Sequence, residues 1–461
     1  MYPKKTPKPE VAFRAAMVLA LLPSGSLLGA ALGIEAYQID QWMSYQVKGV
    51  RIRPQLDINM MYNNNIFSAS DAGALEYVDP RKPTQTNRFT LNPRVADLIG
   101  TVSPGVSFQV GSENENYLNL EYQSDNTRYF DLGVAPAPMH RIQLAGKYDN
   151  QSRLRMEGTH STEFVSSFMG GWVNLGQTLV DRWTHATTGR VTYDSSEKTD
   201  VYFSGSRNYL NYEGVNLYGN DGWRGNLGAS YKPTDRLSVF VEGGYGLTDF
   251  IRGTSALGFI PTSHVYGGFV GVRGQFTERL EGSIGGGYEI REFPDIPGAS
   301  FSIPAANISV SYAFRETTKF SLAYIRRTDN AAQIARQGVT YATTTFNVQQ
   351  ALGTTGTWLA TAGVSYQGGT FDSLTGYGVA YEPIAGTSLR SLSLRTLDYK
   401  RDDSMMSLSG GFSYMPRRWL RFGLNYSYDN YSVNFADAGL KDVFLPTYDA
   451  HRVMVGVQIG Y

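Results

Sequence analysis

The chain ends His451-Arg452-Val453-Met454-Val455-Gly456-Val457-Gln458-Ile459-Gly460-Tyr461. One parity reads His, Val, Val, Val, Ile, Tyr; the other reads Arg, Met, Gly, Gln, Gly. Successive side chains of a β-strand point to opposite faces, so this segment is a strand with one apolar face and one polar or small face. The alternation returns along the chain. Leu98, Gly100, Val102, Pro104, Val106, Phe108 and Val110 stand against Asp97, Thr101, Ser103, Ser107 and Gln109. Leu237, Val239, Val241, Gly243 and Tyr245 stand against Ser238, Glu242, Gly244 and Gly246, and Phe422, Leu424, Tyr426 and Tyr428 against Arg421, Asn425 and Ser427. About 18 such segments of about 9–13 residues follow one another, and the 3.6-residue period of a helix is missing.

The connections alternate as well. Short polar turns at Ser112–Asn116, Asp149–Ser152, Asp194–Thr199, Lys232–Arg236, Thr277–Arg279, Arg315–Thr318 and Met415–Arg418 are separated by long stretches such as Asn63–Arg94, Val165–Arg182 and Ser432–Thr447. The repeat is thus a hairpin of about 40 residues, tight at one end and open at the other, the asymmetry of outer-membrane barrels. A propeller blade has a similar period but divides it into four short strands, whereas Leu237–Phe250 runs uninterrupted. Tyr148, Tyr193, Tyr231, Phe276, Phe314 and Tyr414 precede the short turns, and Tyr209, Tyr245, Tyr288, Tyr324, Tyr366 and Tyr428 lie towards the other end. These read as two interfacial girdles. Nine residues at about 3.3 Å, tilted by about 40°, span roughly 23 Å, the height of a bilayer's apolar band.

Composition agrees. Charged residues are 18% and aromatics 13%, with 50 glycines, 31 tyrosines and no cysteine. Lys plus Arg equals Asp plus Glu, 41 against 41, so no bulk charge is available to hold nucleic acid. Disulfides, thiolate zinc sites and cysteine nucleophiles are excluded. A mean hydropathy of -0.28 is too polar for a bundle of membrane helices. At the N-terminus, Lys4, Lys5, Lys8 and Arg14 precede an apolar stretch, Ala15 to Leu32, broken by Pro23-Ser24-Gly25-Ser26. This reads as a secretory signal peptide over residues 1–36, cleaved after Gly33 or Ala36, with an uncleaved anchor helix as the alternative. Residues 37–49 then form a short periplasmic segment and 50–461 the barrel.

Lipid offers no partner to backbone N–H and C=O groups, so strands that cross it must close on themselves. The expected fold is all-β, a transmembrane antiparallel up-and-down β-barrel of about 18 strands, with a range of 16–20. Asp372–Ser404 sets the ambiguity: it is one long loop, or an extra hairpin turning at Glu382–Gly386 that makes 20 strands. Either number leaves an aqueous lumen. The inward parity supplies its lining candidates: Arg51, Arg53, Asp57, Glu121, Asp125, Arg141, Lys147, Arg153, Arg155, Glu157, Glu242, Arg273, Glu281, Glu289, Arg421 and Arg452. Their signs are mixed, so strong ion selectivity does not follow, and pairing across neighbouring strands is the plain structural role for each. The Asn63–Arg94 loop is long enough to fold inward and narrow the channel.

No serine has glycine two residues before and after it, and His140, His160, His185, His264 and His451 are scattered singly, without paired-ligand spacing. No catalytic residue, metal ligand or cofactor site is expected. Gly285-Gly286-Gly287 and Gly243-Gly244 sit within strands, where glycine permits curvature or close contact.

Val50–Phe67, with its Tyr62-Asn63-Asn64-Asn65-Ile66-Phe67, and Thr101-Val102-Ser103-Pro104-Gly105-Val106 resemble the opening of the family described as Putative beta-barrel porin 2. Tyr448-Asp449-Ala450-His451-Arg452, running into the terminal strand, is similar to that family's close. The resemblance implies a cell outer-membrane protein with a porin role, bathed in outer-membrane lipid and lipopolysaccharide. It also implies recognition of the final strand and Tyr461 by the barrel-assembly machinery, and members often accompany exopolysaccharide export systems. Three functions are therefore carried forward: a passive pore for small hydrophilic solutes, a wall component of a polysaccharide export assembly, and a barrel enzyme acting on lipid or peptide.

Overall fold

β-branched and aromatic residues at alternate positions suit a pleated surface that is apolar on one side, and the chain uses almost nothing else. In the computed structural model, residues 45–47, 49–68, 74–78, 86–90, 94–112, 116–168, 179–213, 219–251, 262–294, 300–330, 338–353, 357–371, 375–383, 390–398, 401–435 and 447–460 are described. No helix occurs among them. The first strands are β1 (Tyr45–Val47), β2 (Val50–Asn63), β3 (Ala74–Val78), β4 (Thr86–Thr90), β5 (Asp97–Gly111), β6 (Tyr117–Tyr129) and β7 (Met139–Asp149). Then come β8 (Leu154–Phe168), β9 (Leu179–Asp194), β10 (Thr199–Glu213), β11 (Gly219–Tyr231), β12 (Leu237–Ile251), β13 (Ser263–Gln275), β14 (Leu280–Glu292) and β15 (Ser300–Arg315). The last are β16 (Thr318–Asn330), β17 (Gly338–Leu352), β18 (Trp358–Phe371), β19 (Thr375–Pro383), β20 (Arg390–Asp398), β21 (Arg401–Arg417), β22 (Leu420–Phe435) and β23 (Tyr448–Gly460).

Eighteen of these form a closed antiparallel barrel: β2, β5 to β18, and β21 to β23. Each pairs with its neighbour in sequence, and β2 closes the ring against β23 from Gln55↔Gly460 to Asn63↔Arg452. Because β23 ends at Gly460, the edge of Val50–Ile52 is left over. β1 takes it up through Val47↔Val50 and Tyr45↔Ile52, so part of the expected periplasmic segment is an extra strand that covers an open edge. The signal-peptide reading and Tyr461 lie outside the described residues.

The Asp372–Ser404 stretch does contain a hairpin, β19 with β20, but it adds nothing to the barrel. β18 pairs directly with β21 from Trp358↔Tyr414 to Phe371↔Arg401, so the chain between them leaves above a seam that is already full. The hairpin instead joins β3 and β4, from the Asn63–Arg94 loop, in a separate four-stranded sheet. The link is a parallel pairing, Arg390↔Tyr77 and Ser391↔Val78.

The outer wall is apolar, as alternation requires: Leu227, Val241 and Val270 are 63, 60 and 59% exposed. Tyr148, Tyr193 and Tyr231 at the turn ends, and Tyr245, Tyr288 and Tyr366 at the loop ends, are exposed on this same wall. Within Gly285–Gly287 the close-contact explanation holds. A Cβ on Gly287 would lie 1.9 Å from the Gly268 carbonyl oxygen.

The two segments that carried the family resemblance meet at the seam. Asn64 N–H donates to the His451 carbonyl (3.1 Å), and His451 N–H donates to Asn64 Oδ1 (2.7 Å). Asn65 Nδ2 donates to the Asp449 carbonyl (2.8 Å), and Arg94 forks onto both carboxylate oxygens of Asp449 (3.1 and 2.9 Å). Asn63 Oδ1 accepts from Asn65 N–H and fixes the bend that makes this possible.

Candidate functional site: the barrel lumen

Fifteen of the sixteen residues singled out by parity lie on the face opposite the exposed apolar side chains. β2 carries Arg51, Arg53 and Asp57; β6 carries Glu121 and Asp125; β7 carries Arg141 and Lys147; β8 carries Arg155 and Glu157. Glu242 comes from β12, Arg273 from β13, Glu281 and Glu289 from β14, Arg421 from β22 and Arg452 from β23. Arg153 is the exception. It belongs to the exposed turn after β7, where strand alternation no longer applies, and its guanidinium reaches the hydroxyl of Tyr193 on the outer wall (3.4 Å).

Several of these charges are tied into the wall by partners that sequence reading did not single out. Arg141 bonds Glu163, its direct cross-strand neighbour (2.6 Å), and Arg155 bonds Asp194 (2.7 Å). Arg452 pairs with Asp429. Arg224 of β11 reaches over two strands to Glu289 of β14 (3.0 Å), lying above Gly267, whose absent side chain leaves the path clear. The Glu289 side chain is only 2% exposed and also accepts from the Thr328 N–H of β16 (3.0 Å), so one carboxylate joins three strands. At the loop end Arg401 stacks on Phe371 (3.8 Å) and donates to Asp403, which also accepts from the Tyr431 hydroxyl.

A second device holds inward side chains against the wall: each lies flat over a glycine paired directly across from it. Tyr202 covers Gly228, with Arg190 stacked on its ring at 3.8 Å and Arg273 at 5.3 Å. Asparagine repeats the device four times, over Gly456 from Asn59, over Gly244 from Asn226, over Gly363 from Asn347 and over Gly411 from Asn425. A Cβ on those glycines would meet the amide oxygen at 2.0–2.6 Å. Between β18 and β2 the inward face opens into a recess of about 190 Å³, bounded in part by Asp57, Arg421, Asn425 and Gln458.

The five histidines share the outward parity, near the loop-end girdle. Tyr122, Tyr245 and Tyr426 hydroxyls meet Nδ1 of His140, His264 and His451 at 3.0, 2.8 and 2.9 Å. His160 and His185 share the Thr162 hydroxyl, each at 3.0 Å. Among the described residues no group of three or more His, Cys, Asp or Glu could hold a metal ion.

The family model described as Putative beta-barrel porin 2 matches residues 78–461. No curated protein matches the chain. Among solved structures, it is similar to the siderophore receptor PirA from Pseudomonas aeruginosa at 7% identity and a TM-score of 0.42, covering 89% of this chain and 80% of that one. It is similar to the FrpB iron transporter from Neisseria meningitidis at 10% identity and a TM-score of 0.40, with 89 and 81% covered. For OccK3 from Pseudomonas aeruginosa the identity is 9%, the TM-score 0.40 and the coverage 89 and 95%.

Proposed function

The chain belongs to the Putative beta-barrel porin 2 family, and from that premise we propose that it is an outer-membrane porin, a passive diffusion pore for small hydrophilic solutes. The observation that carries this reading is the tangential packing of the inward side chains. Their ion pairs and glycine-floored contacts run along the wall and keep it thin. Eighteen strands about 4.8 Å apart and tilted by about 40° set a backbone radius of about 18 Å. With the side chains held flat, a lumen on the order of 20 Å across remains. Its charges are mixed in sign and several are paired along the wall, which supports weak ion selectivity. The exposed apolar wall suits outer-membrane lipid, and the β23 strand suits recognition by the barrel-assembly machinery.

Planar-bilayer recording of the purified protein tests this. Stable ohmic conductance with a reversal potential near zero in a KCl gradient is expected. A barrel that inserts but stays silent would remove the reading and favour a wall component of a polysaccharide export assembly. Lipid hydrolysis by such a closed barrel would favour the enzyme.

A further inference from the structure

The inward face is divided into two sectors of different chemistry. From β6 to β14 every strand carries at least one inward charged side chain, Glu121, Lys147, Glu157, Arg190, Arg224 and Glu289 among them. From β15 to β22 long uncharged runs separate the charges. β17 and β18 contain no charged residue at all. β15 has none before its last residue, Arg315, and β16 none between Lys319 and Arg326. β21 has none between Asp403 and Arg417, and β22 none between Arg421 and Asp429.

Two rows of mostly small polar residues cross these uncharged runs, the first interrupted at Ala323. Direct cross-strand pairing links Ser283, Ser309, Ala323, Thr345, Ser365 and Ser407. Beside it, the same pairing links Ser311, Ser321, Asn347, Gly363, Ser409 and Ser427. The gap at Gly363 is filled from both sides, because Asn347 Oδ1 and Ser409 Oγ lie 2.6 and 2.7 Å from where its Cβ would be. Thr345 and Ser365 hydroxyls touch at 3.1 Å. A row of paired residues runs perpendicular to its strands. At a tilt of about 40° each step of about 4.8 Å therefore climbs about 3 Å along the barrel axis. Five steps rise about 15 Å, more than half of the apolar band. The rows are a ramp through the membrane, not a ring around the lumen.

Hydroxyls and amides both donate and accept, so a solute bearing hydroxyls can exchange its water for wall contacts at most steps of such a ramp. An ion gains no opposite charge within these rows, while on the other side some of the charges, Arg224 and Glu289 for example, are already bonded to one another. Resting on the pore reading above, we propose that the lumen favours neutral polyhydroxylated solutes, sugars and polyols, over charged solutes of the same size, and that the β14–β22 ramp is where they pass.

Liposome swelling with sorbitol and with sodium gluconate, paired with KCl conductance, tests this. The wild type is expected to pass sorbitol faster. Thr345→Val, Ser365→Ala and Ser407→Ala combined remove three adjacent hydroxyls and are expected to lower the sorbitol-to-gluconate ratio by roughly twofold or more, with KCl conductance unchanged. Ser161→Ala with Ser206→Ala, on the charged sector, is expected to leave the ratio as it was. Heat-modifiable migration confirms that each variant is folded. Equal passage of sorbitol and gluconate by the wild type, or a ratio that the ramp variant fails to lower or that falls equally in the control, overturns the solute preference and leaves the pore standing. Absence of KCl conductance in the wild type overturns the pore itself.

Discussion

Replacing Gly228 by alanine puts a methyl group where the Tyr202 ring already lies, 2.3 Å from Cζ, 2.5 Å from Oη and 2.6 Å from Cε2. Nothing can yield except the tyrosine, which is 1% exposed and fixed from both sides. Its ring carries the Arg190 guanidinium at 3.8 Å, and the Arg273 guanidinium lies 5.3 Å from it. Expelling the ring forfeits part of its burial, about 1–2 kcal/mol. It also loses cation–π contacts of about 1 kcal/mol. The expected cost is about 2–3 kcal/mol, read as a lower urea midpoint for the barrel in lipid vesicles. The displaced ring has only the lumen to enter, so single-channel conductance falls with it. Gly243→Ala is the control, since Gly243 faces outward on the next strand and its Cβ would meet nothing within 4 Å. It is expected to cost less than about 0.5 kcal/mol. In a Tyr202→Ala background Gly228→Ala should become nearly neutral, because the clash has been removed. If Gly228→Ala is as stable and as conductive as Gly243→Ala, or costs the same with and without Tyr202, side chains are not held flat by their glycines.

Glu289→Gln leaves Arg224 without its acid and weakens the bonds from Thr328; a loss of about 2–4 kcal/mol in vesicle unfolding is expected, and Arg224→Gln should match it. Asn65→Ala removes the bond to the Asp449 carbonyl and should lower the temperature at which the heat-modifiable band unfolds, with Arg94→Gln adding to it. Excising residues 372–400 and joining Phe371 to Arg401 by a short Gly-Ser linker should leave a folded barrel, because those two residues are already paired; unfolded product would mean that β19 and β20 support the wall after all.

Alternation makes the strands legible because a membrane strand has two solvents, lipid and water, and each residue must suit one of them. Where a strand rises beyond the lipid that demand ends, yet its ladder continues. β8 runs on to Phe168 and β9 begins at Leu179, inside the stretch Val165–Arg182 that reads as a loop, because Ser166 and Ser167 no longer oppose apolar neighbours. The same holds for β22, which persists to Phe435 past Ser432. The charged lumen residues are legible as a face but not as pairs, since Arg224 and Glu289 are 65 residues apart and meet only when register is known. Asparagine over glycine is likewise silent in sequence, where Asn347 and Gly363 are two unremarkable strand residues on different strands. The fate of the β19–β20 hairpin is not legible either, because its pairing depends on the β18–β21 seam being full.

The seam shows most directly why the opening and closing segments of the chain share a logic. A barrel is complete only when its last strand finds its first, here through contacts between residues 384 to 387 positions apart. Joining ends that distant costs on the order of 5 kcal/mol in chain entropy. The local bonds between Asn64, Asn65, Arg94 and the Asp449–His451 segment contribute about 1 kcal/mol each, more for the forked Arg94–Asp449 pair, and so reach roughly the same size. The β2–β23 ladder alone could also slip by two residues and keep every side chain on its proper face, since the period is two. Asn64 and Asn65 bond to specific backbone groups of β23, and Arg94 to one carboxylate, so a slipped register would lose all of them together. The latch thus selects the register as well as the closure, and a barrel with both asparagines and Arg94 replaced should close into a mixture of registers, visible as multiple crosslinked products between cysteines placed at Met60 and Val455, rather than the single product that their direct pairing gives.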